Sequence, residues 1–182
     1  MHTTAGKTGV LMLMLMTASV SAKGWHVALP GGQMRFQGQV IAEACDVRTD
    51  DRTLSVNMGQ VSSNRFRRAG DDADPVPFSL HLINCNTSVS QNVSIQFRGP
   101  GDGKNPDVLS VGEGPGIATH VGIALFDRNG VLIPLNSPLL SAHQKLEQGA
   151  VTLDLVAKYR ATGRVVTGGE ANAEALFFLT YE

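Results

Sequence analysis

The sequence predicts an all-β fold, an antiparallel sandwich of immunoglobulin type. Three observations favour it: eight short apolar or alternating segments, a single pair of cysteines within strand-like segments, and glycine-rich turns between the segments. Only residues 141–148 could form a helical turn, which is too short to change the fold class. At 182 residues, with 42% hydrophobic and 17% charged residues, the chain suits one domain around one core.

The first 22 residues predict a secretory signal. A polar start with Lys7 leads into an apolar run at 10–16, and the small residues Val20 and Ala22 suit a signal peptidase that cleaves before Lys23. The apolar run is well short of the ~20 residues needed to cross a bilayer, so we expect export without membrane insertion. The formal charge of -1 gives no reason to expect a nucleic-acid partner.

Export determines how the two cysteines are interpreted. Cys45 and Cys85 are an even count in a chain sent to an oxidising compartment, and they form no C-x-x-C motif. We therefore predict one structural disulfide that joins two neighbouring strands. A metal pair or a reactive thiol is the alternative, but two thiolates without nearby histidines supply only half a zinc site.

The predicted strands follow one another along the chain after the signal. Some alternate apolar and polar residues, as in "FSLHLI", and others are short apolar runs, as in "VGIALF". Between two of them, "DRNG" predicts a tight hairpin turn, because Asn129 and Gly130 both tolerate positive φ. The predicted strands cover residues 34–42, 54–58, 78–83, 93–97, 121–126, 131–134, 151–159 and 175–181.

Catalytic and metal-binding motifs are missing from the sequence. The histidines are scattered, and no H-x-H or H-x-x-x-H spacing brings two of them onto a shared face. The loop at 99–107 departs from a phosphate loop, and no G-x-S-x-G stretch is present. In the loop at 65–75, three arginines lie near three aspartates, which indicates mutual charge pairing in solvent rather than an anion site. We therefore predict a non-enzymatic protein without a cofactor or a metal.

The last predicted strand, "ALFFLTY" at 175–181, is apolar on both faces. One face carries Leu176 and Phe178, and the other carries Ala175, Phe177, Leu179 and Tyr181. Such a strand is typical either of the centre of a complete sandwich or of a surface that another chain covers. Periodicity alone does not decide between the two.

Several stretches carry a resemblance that spans nearly the whole exported chain. They are "FQGQVIAEACDV" (36–47), "FSLHLINCNT" (78–87), "THVGIALFDRNG" (119–130), "VAKYRATG" (156–163) and "GGEANAEALFFLTYE" (168–182). They include Gly38 seven residues before Cys45, Gly169 fourteenth from the end, and the penultimate Tyr181. In this combination the chain resembles the subunits of chaperone-usher pili, close to the type 1 fimbrial pilin family.

The resemblance implies a fold and a mode of assembly. Subunits of this family have an incomplete immunoglobulin-like sandwich that lacks its final strand, so the last strand of the chain borders an open groove. A periplasmic pilus chaperone fills the groove with one of its own strands and anchors the terminal carboxylate of Glu182 with a basic pair. In the fibre, the N-terminal extension of another fimbrial subunit replaces the chaperone strand. An outer-membrane usher polymerises the subunits into an extracellular fimbrium on the cell surface.

The same resemblance assigns roles to both ends of this chain. Residues 1–22 would be the signal peptide, 23–37 the donor-strand extension and 38–182 the pilin domain. Counting back by two from Phe36 places the donor residues on one face: Phe36, Met34, Gly32, Pro30 and Ala28. Pro30 departs from the family pattern because it has no N–H to donate. The groove-edge strand that pairs with the chaperone would use Gly169, Ala175, Phe177, Leu179 and Tyr181.

The function predicted from these residues is that of a structural subunit of an adhesive fimbria. The alternative within the binding class is a minor adaptor or tip-proximal subunit that contacts a receptor directly. A tip adhesin is disfavoured because it would carry an additional N-terminal domain and no donor extension. A secreted β-sandwich metalloenzyme of superoxide dismutase type is disfavoured because it needs clustered histidines.

Overall fold

The computed structural model describes residues 31, 33–38, 44–138 and 141–182. The predicted signal peptide and the predicted donor residues Ala28, Pro30 and Gly32 lie outside the described residues. The chain divides into two compact units, Met1–Gln39 and Val40–Glu182.

The described residues of the first unit form neither helix nor strand. The side chains of Met34 and Phe36 are 83% and 88% exposed. The strand predicted at 34–42 is therefore not formed over residues 34–38, and residues 39–42 lie outside the described part of the chain. An extended segment on its own lacks the cross-strand hydrogen bonds that stabilise a strand.

The described part of the second unit forms eight strands in two antiparallel sheets, so the predicted all-β fold class is confirmed. One sheet has the order β1-β2-β7-β5-β4 and the other the order β6-β3-β8. Two 3₁₀ helices, Thr49–Thr53 and Ser63–Arg65, lie between β1 and β2. The strands are β1 (Asp46–Val47), β2 (Val76–Cys85), β3 (Asn92–Arg98), β4 (Leu109–Ser110), β5 (Val121–Asp127), β6 (Ser141–Lys145), β7 (Gly149–Ala161) and β8 (Leu176–Tyr181).

The main core uses alternate apolar residues along the central strands of the larger sheet. Along β7, Val151 and Leu153 are buried, whereas Thr152 and Asp154 between and beyond them are exposed. Across β2 and β7, Leu80 lies opposite Leu153, so the two buried side chains stack on the same face. Burying one such side chain stabilises the fold by about 1.5–3 kcal/mol.

The central strand β5 is buried on both faces. Ile123 and Leu125 join the main core, while Phe126 belongs to a smaller cluster on the opposite face. The Lys158 Nζ and the Arg160 guanidinium carbon lie 4.3 and 5.1 Å from the centroid of the Phe126 ring. The two cations thus cover an aromatic side chain that would otherwise face solvent.

The turn predicted at Asn129–Gly130 is confirmed, with one difference in its backbone. The Gly130 N–H donates to the Asp127 carbonyl oxygen at 3.0 Å, and the Asp127 carboxylate accepts the N–H groups of Asn129 and Val131. Of the predicted pair, only Gly130 takes a positive φ, 77°. Positive φ at one position is sufficient here because the Asp127 side chain caps the turn.

Three other predicted elements differ from the structure. Residues 54–58 are extended but pair with no described strand, and 131–134 contribute a single bridge, between Leu132 and Phe126. Residues 141–145 form β6, which pairs with β3, so the helical turn suggested for 141–148 is wrong. Pairing with a neighbouring strand outweighs the weak helical preference of so short a segment.

Two of the charge pairs predicted within the loop at 65–75 are formed, and the third aspartate pairs outside the loop. Arg65 contacts Asp74, and Arg68 contacts Asp71. Asp72 accepts two hydrogen bonds from Arg160, at 2.6 and 2.9 Å, which attach the loop to β7. The loop is therefore fastened to the sheet by a bidentate ion pair.

The predicted disulfide is present. Cys45 and Cys85 are bonded, with their Cα atoms 4.1 Å apart, and both residues are buried. Cys45 directly precedes β1 and Cys85 ends β2, and these two strands pair with each other. The bond thus joins neighbouring strands, as the sequence predicted.

We expect the secreted protein to contain no free thiol, and we expect loss of this bond to be costly. Replacing both cysteines with alanine should lower the free energy of unfolding by about 3–4 kcal/mol, because the bond closes a long loop in the unfolded chain. Denaturant unfolding of the two proteins measures the difference. Thiol counting on denatured, unreduced protein is the direct check, and two free thiols per chain would contradict the prediction.

Candidate strand-binding groove

The candidate site begins at an unpaired strand edge. In the smaller sheet, β8 pairs with β3 on one side, and no described strand lies on its other side. The backbone N–H and C=O groups that point away from β3 are therefore open to a further strand. Such an edge binds extended polypeptide by adding it to the sheet.

An open groove of about 1640 Å³ lies beside this edge. It is lined by residues 171–179 with Tyr181, by residues 52–59, and by inward side chains of the larger sheet. The inward side chains are apolar and include Leu80, Leu109, Ile123, Leu125 and Ala157. The groove therefore opens onto the hydrophobic core itself.

The two faces of β8 have different environments. Phe177, Leu179 and Tyr181 pack against the core, opposite Phe97, Ile95 and Val93 of β3. On the outer face, Leu176 is 67% exposed and Phe178 is 40% exposed. The predicted alternation is thus correct, but the described residues cover the outer face only in part. Ala175 lies one residue before β8, is exposed, and lines the groove.

The opposite lining of the groove is residues 52–59, of which residues 54–58 are extended and make few contacts of their own. Leu54 is 41% exposed, and the backbone of residues 54–58 makes no hydrogen bond to another described residue. The segment ends where the Gly59 N–H donates to the Asn57 side-chain oxygen at 3.0 Å, with Gly59 at a φ of 65°. A second row of backbone groups therefore borders the groove without a partner.

A buried carboxylate holds the start of this segment. Asp51, 3% exposed, accepts the His81 N–H at 2.6 Å and contacts the His81 ring Nδ1 at 2.8 Å, and Arg48 lies 3.4 Å away. Burial alone would raise the pKa of the Asp51 carboxyl, but the hydrogen bonds from His81 and the charge of Arg48 lower it overall. Asp51 thereby fixes the 3₁₀ helix at 49–53 to β2 and sets where residues 52–59 begin.

The chain that leads into β8 is held at a close backbone crossing. The Ala118 N–H donates to the Glu170 carbonyl oxygen at 2.9 Å, and the Glu170 N–H donates to the Gly116 carbonyl oxygen at 2.8 Å. A Cβ atom on Gly169 would lie 2.4 Å from the Ala118 nitrogen, so only glycine fits. Gly169 does not line the groove; it lies where the approach to β8 crosses residues 116–118.

The other end of β8 is attached to the disulfide and to β3. The Tyr181 hydroxyl donates to the Cys45 carbonyl oxygen at 3.2 Å. The main-chain N–H groups of Gln91 and Asn92 both donate to the Glu182 main-chain oxygen at 2.9 Å. β8 is therefore fixed at both ends while its outer edge stays open.

The sequence pattern predicted β8, but it placed Gly169 at the groove edge, which Gly169 does not line, and it did not predict the Asp51 anchor of the opposite lining. Asp51 sits in "TDDRT", where nothing in the letters separates it from exposed Asp50. Its partner His81 lies 30 residues away in sequence, so only the fold brings the two together. The sequence pattern marked only Tyr181, the penultimate residue. The spacing of residues could not predict that its hydroxyl donates to the Cys45 carbonyl oxygen.

No described helix is both long and apolar enough to span a membrane. No group of three or more His, Cys, Asp or Glu side chains in the described ranges could hold a metal ion.

Comparison with known proteins gives consistent results. The Fimbrial protein family matches residues 34–182. The chain is 32% identical to a fimbrial subunit type 1 of Salmonella typhimurium over an alignment of 183 positions, which covers 100% of this chain and 99% of that one. It is 37% identical over 153 residues to the type-1 fimbrial protein C chain of Escherichia coli, which is 84% of each.

Solved structures show the same fold. A Burkholderia pseudomallei antigen and type I fimbria protein aligns with a TM-score of 0.59 at 33% identity, over 78% of this chain and 91% of that one. The P pilus rod subunit PapA aligns with a TM-score of 0.64 at 24% identity, over 77% of this chain and 100% of that one.

The crossing at Gly169 yields a test with a matched control in the neighbouring residue. Gly169→Ala should destabilise the protein by about 1–3 kcal/mol or more, because the added methyl group must push two backbone segments apart. Gly168→Ala should be close to neutral, since a Cβ there meets nothing within 4 Å. Thermal or denaturant unfolding distinguishes them, and equal stabilities would contradict the close crossing.

The Asp51 anchor predicts a dependence of stability on pH. Because its pKa is lowered in the folded protein, its contribution is present above the ordinary value of 3.8 and is lost as the pH falls through the folded value. Asp51→Asn should therefore lower the free energy of unfolding at neutral pH by about 1.5–3 kcal/mol and reduce the acid sensitivity. Asp50→Asn is the control, and unfolding is followed at about pH 7 and pH 3. A loss that was equal at both pH values would rule out the titration of Asp51 as its cause.

Proposed function

This chain belongs to the fimbrial protein family and is a structural subunit of a fimbria; we propose that its groove beside β8 receives an extended strand from a neighbouring subunit. The observation that supports this most is the unpaired edge of β8 next to an open apolar groove. Two features of the groove need a partner: apolar side chains that are only partly buried, such as Phe177 and Leu179, and backbone groups without a strand partner. An extended peptide satisfies both, and strand addition of this kind is the established mode of chaperone–pilin recognition.

The donor in the fibre is the N-terminal extension of the next copy, residues 23–37. Its residues Ala28, Pro30, Gly32, Met34 and Phe36 share one face and would enter the groove. The exposure of Met34 and Phe36 supports this assignment, because two large apolar side chains gain most by burial in a partner. Pro30 has no N–H, so backbone pairing would begin near Gly31.

On the acceptor side, Ala175, Phe177, Leu179 and Tyr181 form the lining that the donor covers. Gly169 contributes indirectly, through the backbone crossing that positions the approach to β8. Residues 54–58 have unpaired backbone groups and could bond to the second edge of the donor. The inserted strand would thus complete the sandwich of residues 38–182.

Before polymerisation, a periplasmic chaperone would occupy the same groove with a strand of its own. An unpaired strand edge with exposed apolar side chains, such as Leu176 and Phe178, favours aggregation unless it is covered during export. The leader at 1–22 would direct the chain to the periplasm, and an outer-membrane usher would exchange the chaperone for the next subunit. The finished fimbria is extracellular and contributes to cell adhesion.

Removing the donor segment separates assembly from folding. Deleting residues 23–36 leaves the groove and β8 intact, so the chaperone should still capture the subunit, but the variant should not join a subunit ahead of it. Gly32→Arg should block assembly in the same way, because it would bury a long charged side chain without a partner. The measurement is incorporation into SDS-resistant, heat-dissociable polymers with a chaperone-bound acceptor subunit.

Gly31→Arg is the matched control for that experiment. Gly31 is adjacent to Gly32 in the chain but on the opposite face of an extended strand, so its arginine would point to solvent. We expect it to polymerise nearly normally. Normal polymer yield from both the deletion and Gly32→Arg would show that this extension is not the donor strand.

A further inference from the structure

The outer face of β8 carries an aromatic ring that an arginine already contacts from one side. The Arg98 guanidinium carbon lies 4.7 Å from the centroid of the Phe178 ring. In the pairing of β3 with β8, Arg98 lies opposite Leu176 and Gln96 lies opposite Phe178, so Arg98 reaches the ring diagonally. Phe178 nevertheless remains 40% exposed, and Leu176 beside it is 67% exposed.

We infer that Arg35 of an incoming second copy of this chain contacts the Phe178 ring from the unpaired side of β8 and acts as a specificity-determining residue of the donor strand. This inference rests on the proposed function, since it needs residues 23–37 to add to the edge of β8. It assigns a role to the outer face of the donor, whereas the groove itself receives only the inner face.

The placement of Arg35 follows from alternation. If Met34 and Phe36 enter the groove, Arg35 between them points to the outer face of the completed sheet. The outer face of β8 presents Leu176, Phe178 and Thr180, with Phe178 in the middle. Any register that pairs Arg35 with this strand therefore puts it directly opposite Phe178 or one diagonal step away.

A diagonal step is within the reach of arginine at this ring. Arg98 makes that contact from β3 in the present structure, across the same kind of strand pairing. A guanidinium stacks on an aromatic face, and its aliphatic stem covers neighbouring apolar surface. Arg35 would thus shield Leu176 and Phe178 together, and the two arginines would keep their charges in solvent, where repulsion is screened.

The strand that occupies the edge of β8 comes from a second copy of this chain, because its residues 34–36 combine apolar side chains for the groove with a cation for the Phe178 ring. Met34 and Phe36 are apolar on one face, and Arg35 is cationic on the other, in three consecutive residues. A donor strand without a cation at this position would fill the groove but leave the outer ring exposed. The ring, at the rim of the groove, therefore discriminates among donors by a feature that the inward side chains of the groove do not contact.

The test is a double-mutant cycle on polymers of the full-length chain. Each subunit interface then holds one Arg35 from the donor and one Phe178 from the acceptor. The variants are Arg35→Ala, Phe178→Leu and the double variant, with Arg35→Lys to retain the charge and Gln37→Ala as a control on the same outer face.

Phe178→Leu keeps an apolar side chain and removes the ring, and Arg35 lies outside the folded unit Val40–Glu182, so folding should be retained. The measured quantity is the rate of polymer dissociation in SDS on mild heating.

Arg35→Ala should speed dissociation about two- to five-fold, the scale of an exposed cation–π contact. In the Phe178→Leu background the same change should have almost no effect, and Arg35→Lys should retain part of the stability. An equal effect of Arg35→Ala in both backgrounds, or none in either, would overturn the inference. Phe36→Ala separates failure of this inference from failure of the proposed function. If Phe36→Ala speeds dissociation while Arg35→Ala does not, residues 23–37 still act as the donor strand and only the contact between Arg35 and Phe178 is refuted. If Phe36→Ala also leaves the dissociation rate unchanged, both the inference and the proposed donor-strand function are refuted.

Discussion

The backbone edge of β8 that faces away from β3 is the constraint on which the rest of the structure depends. The strand contributes Phe177, Leu179 and Tyr181 to the core, so it cannot leave without loss of packing. Among the described strands, it nevertheless pairs with β3 alone. A strand that is necessary to the core and unpaired on one side is stable only if other contacts hold it, and it leaves an unpaired backbone edge beside the core.

Three contacts hold the groove open without covering it. The Tyr181 hydroxyl ties the end of β8 to the carbonyl of Cys45, next to the disulfide. The backbone crossing at Gly169 holds the approach to β8. Asp51 fixes the start of the opposite lining to β2. All three act on the ends of the groove-lining segments, which leaves the middle of each free to pair with an inserted strand.

The sequence predicted those parts of the site that local pattern determines. Alternation in β2, β7 and β8 placed the core face correctly, and an even cysteine count in an exported chain predicted the bond between Cys45 and Cys85. It did not predict β6, because a five-residue strand with a bulged register has no clean period. Nor did it find the Asp51–His81 contact, which joins residues 30 apart in sequence and depends on where β2 lies relative to the 3₁₀ helix.

If the groove receives a strand of the neighbouring subunit, as proposed, completion of the core and assembly of the fibre are the same physical event. The groove is lined by the side chains that bury the rest of the core, so a strand that enters it adds both core packing and backbone hydrogen bonds. Anything that binds the folded state alone stabilises that state by mass action. Folding stability and subunit affinity must therefore change together for substitutions in the groove floor, such as at Leu80 or Leu125. Folding stability and subunit affinity can change independently only for residues that contact the donor strand but do not pack in the core. Such residues lie on the outer face of β8.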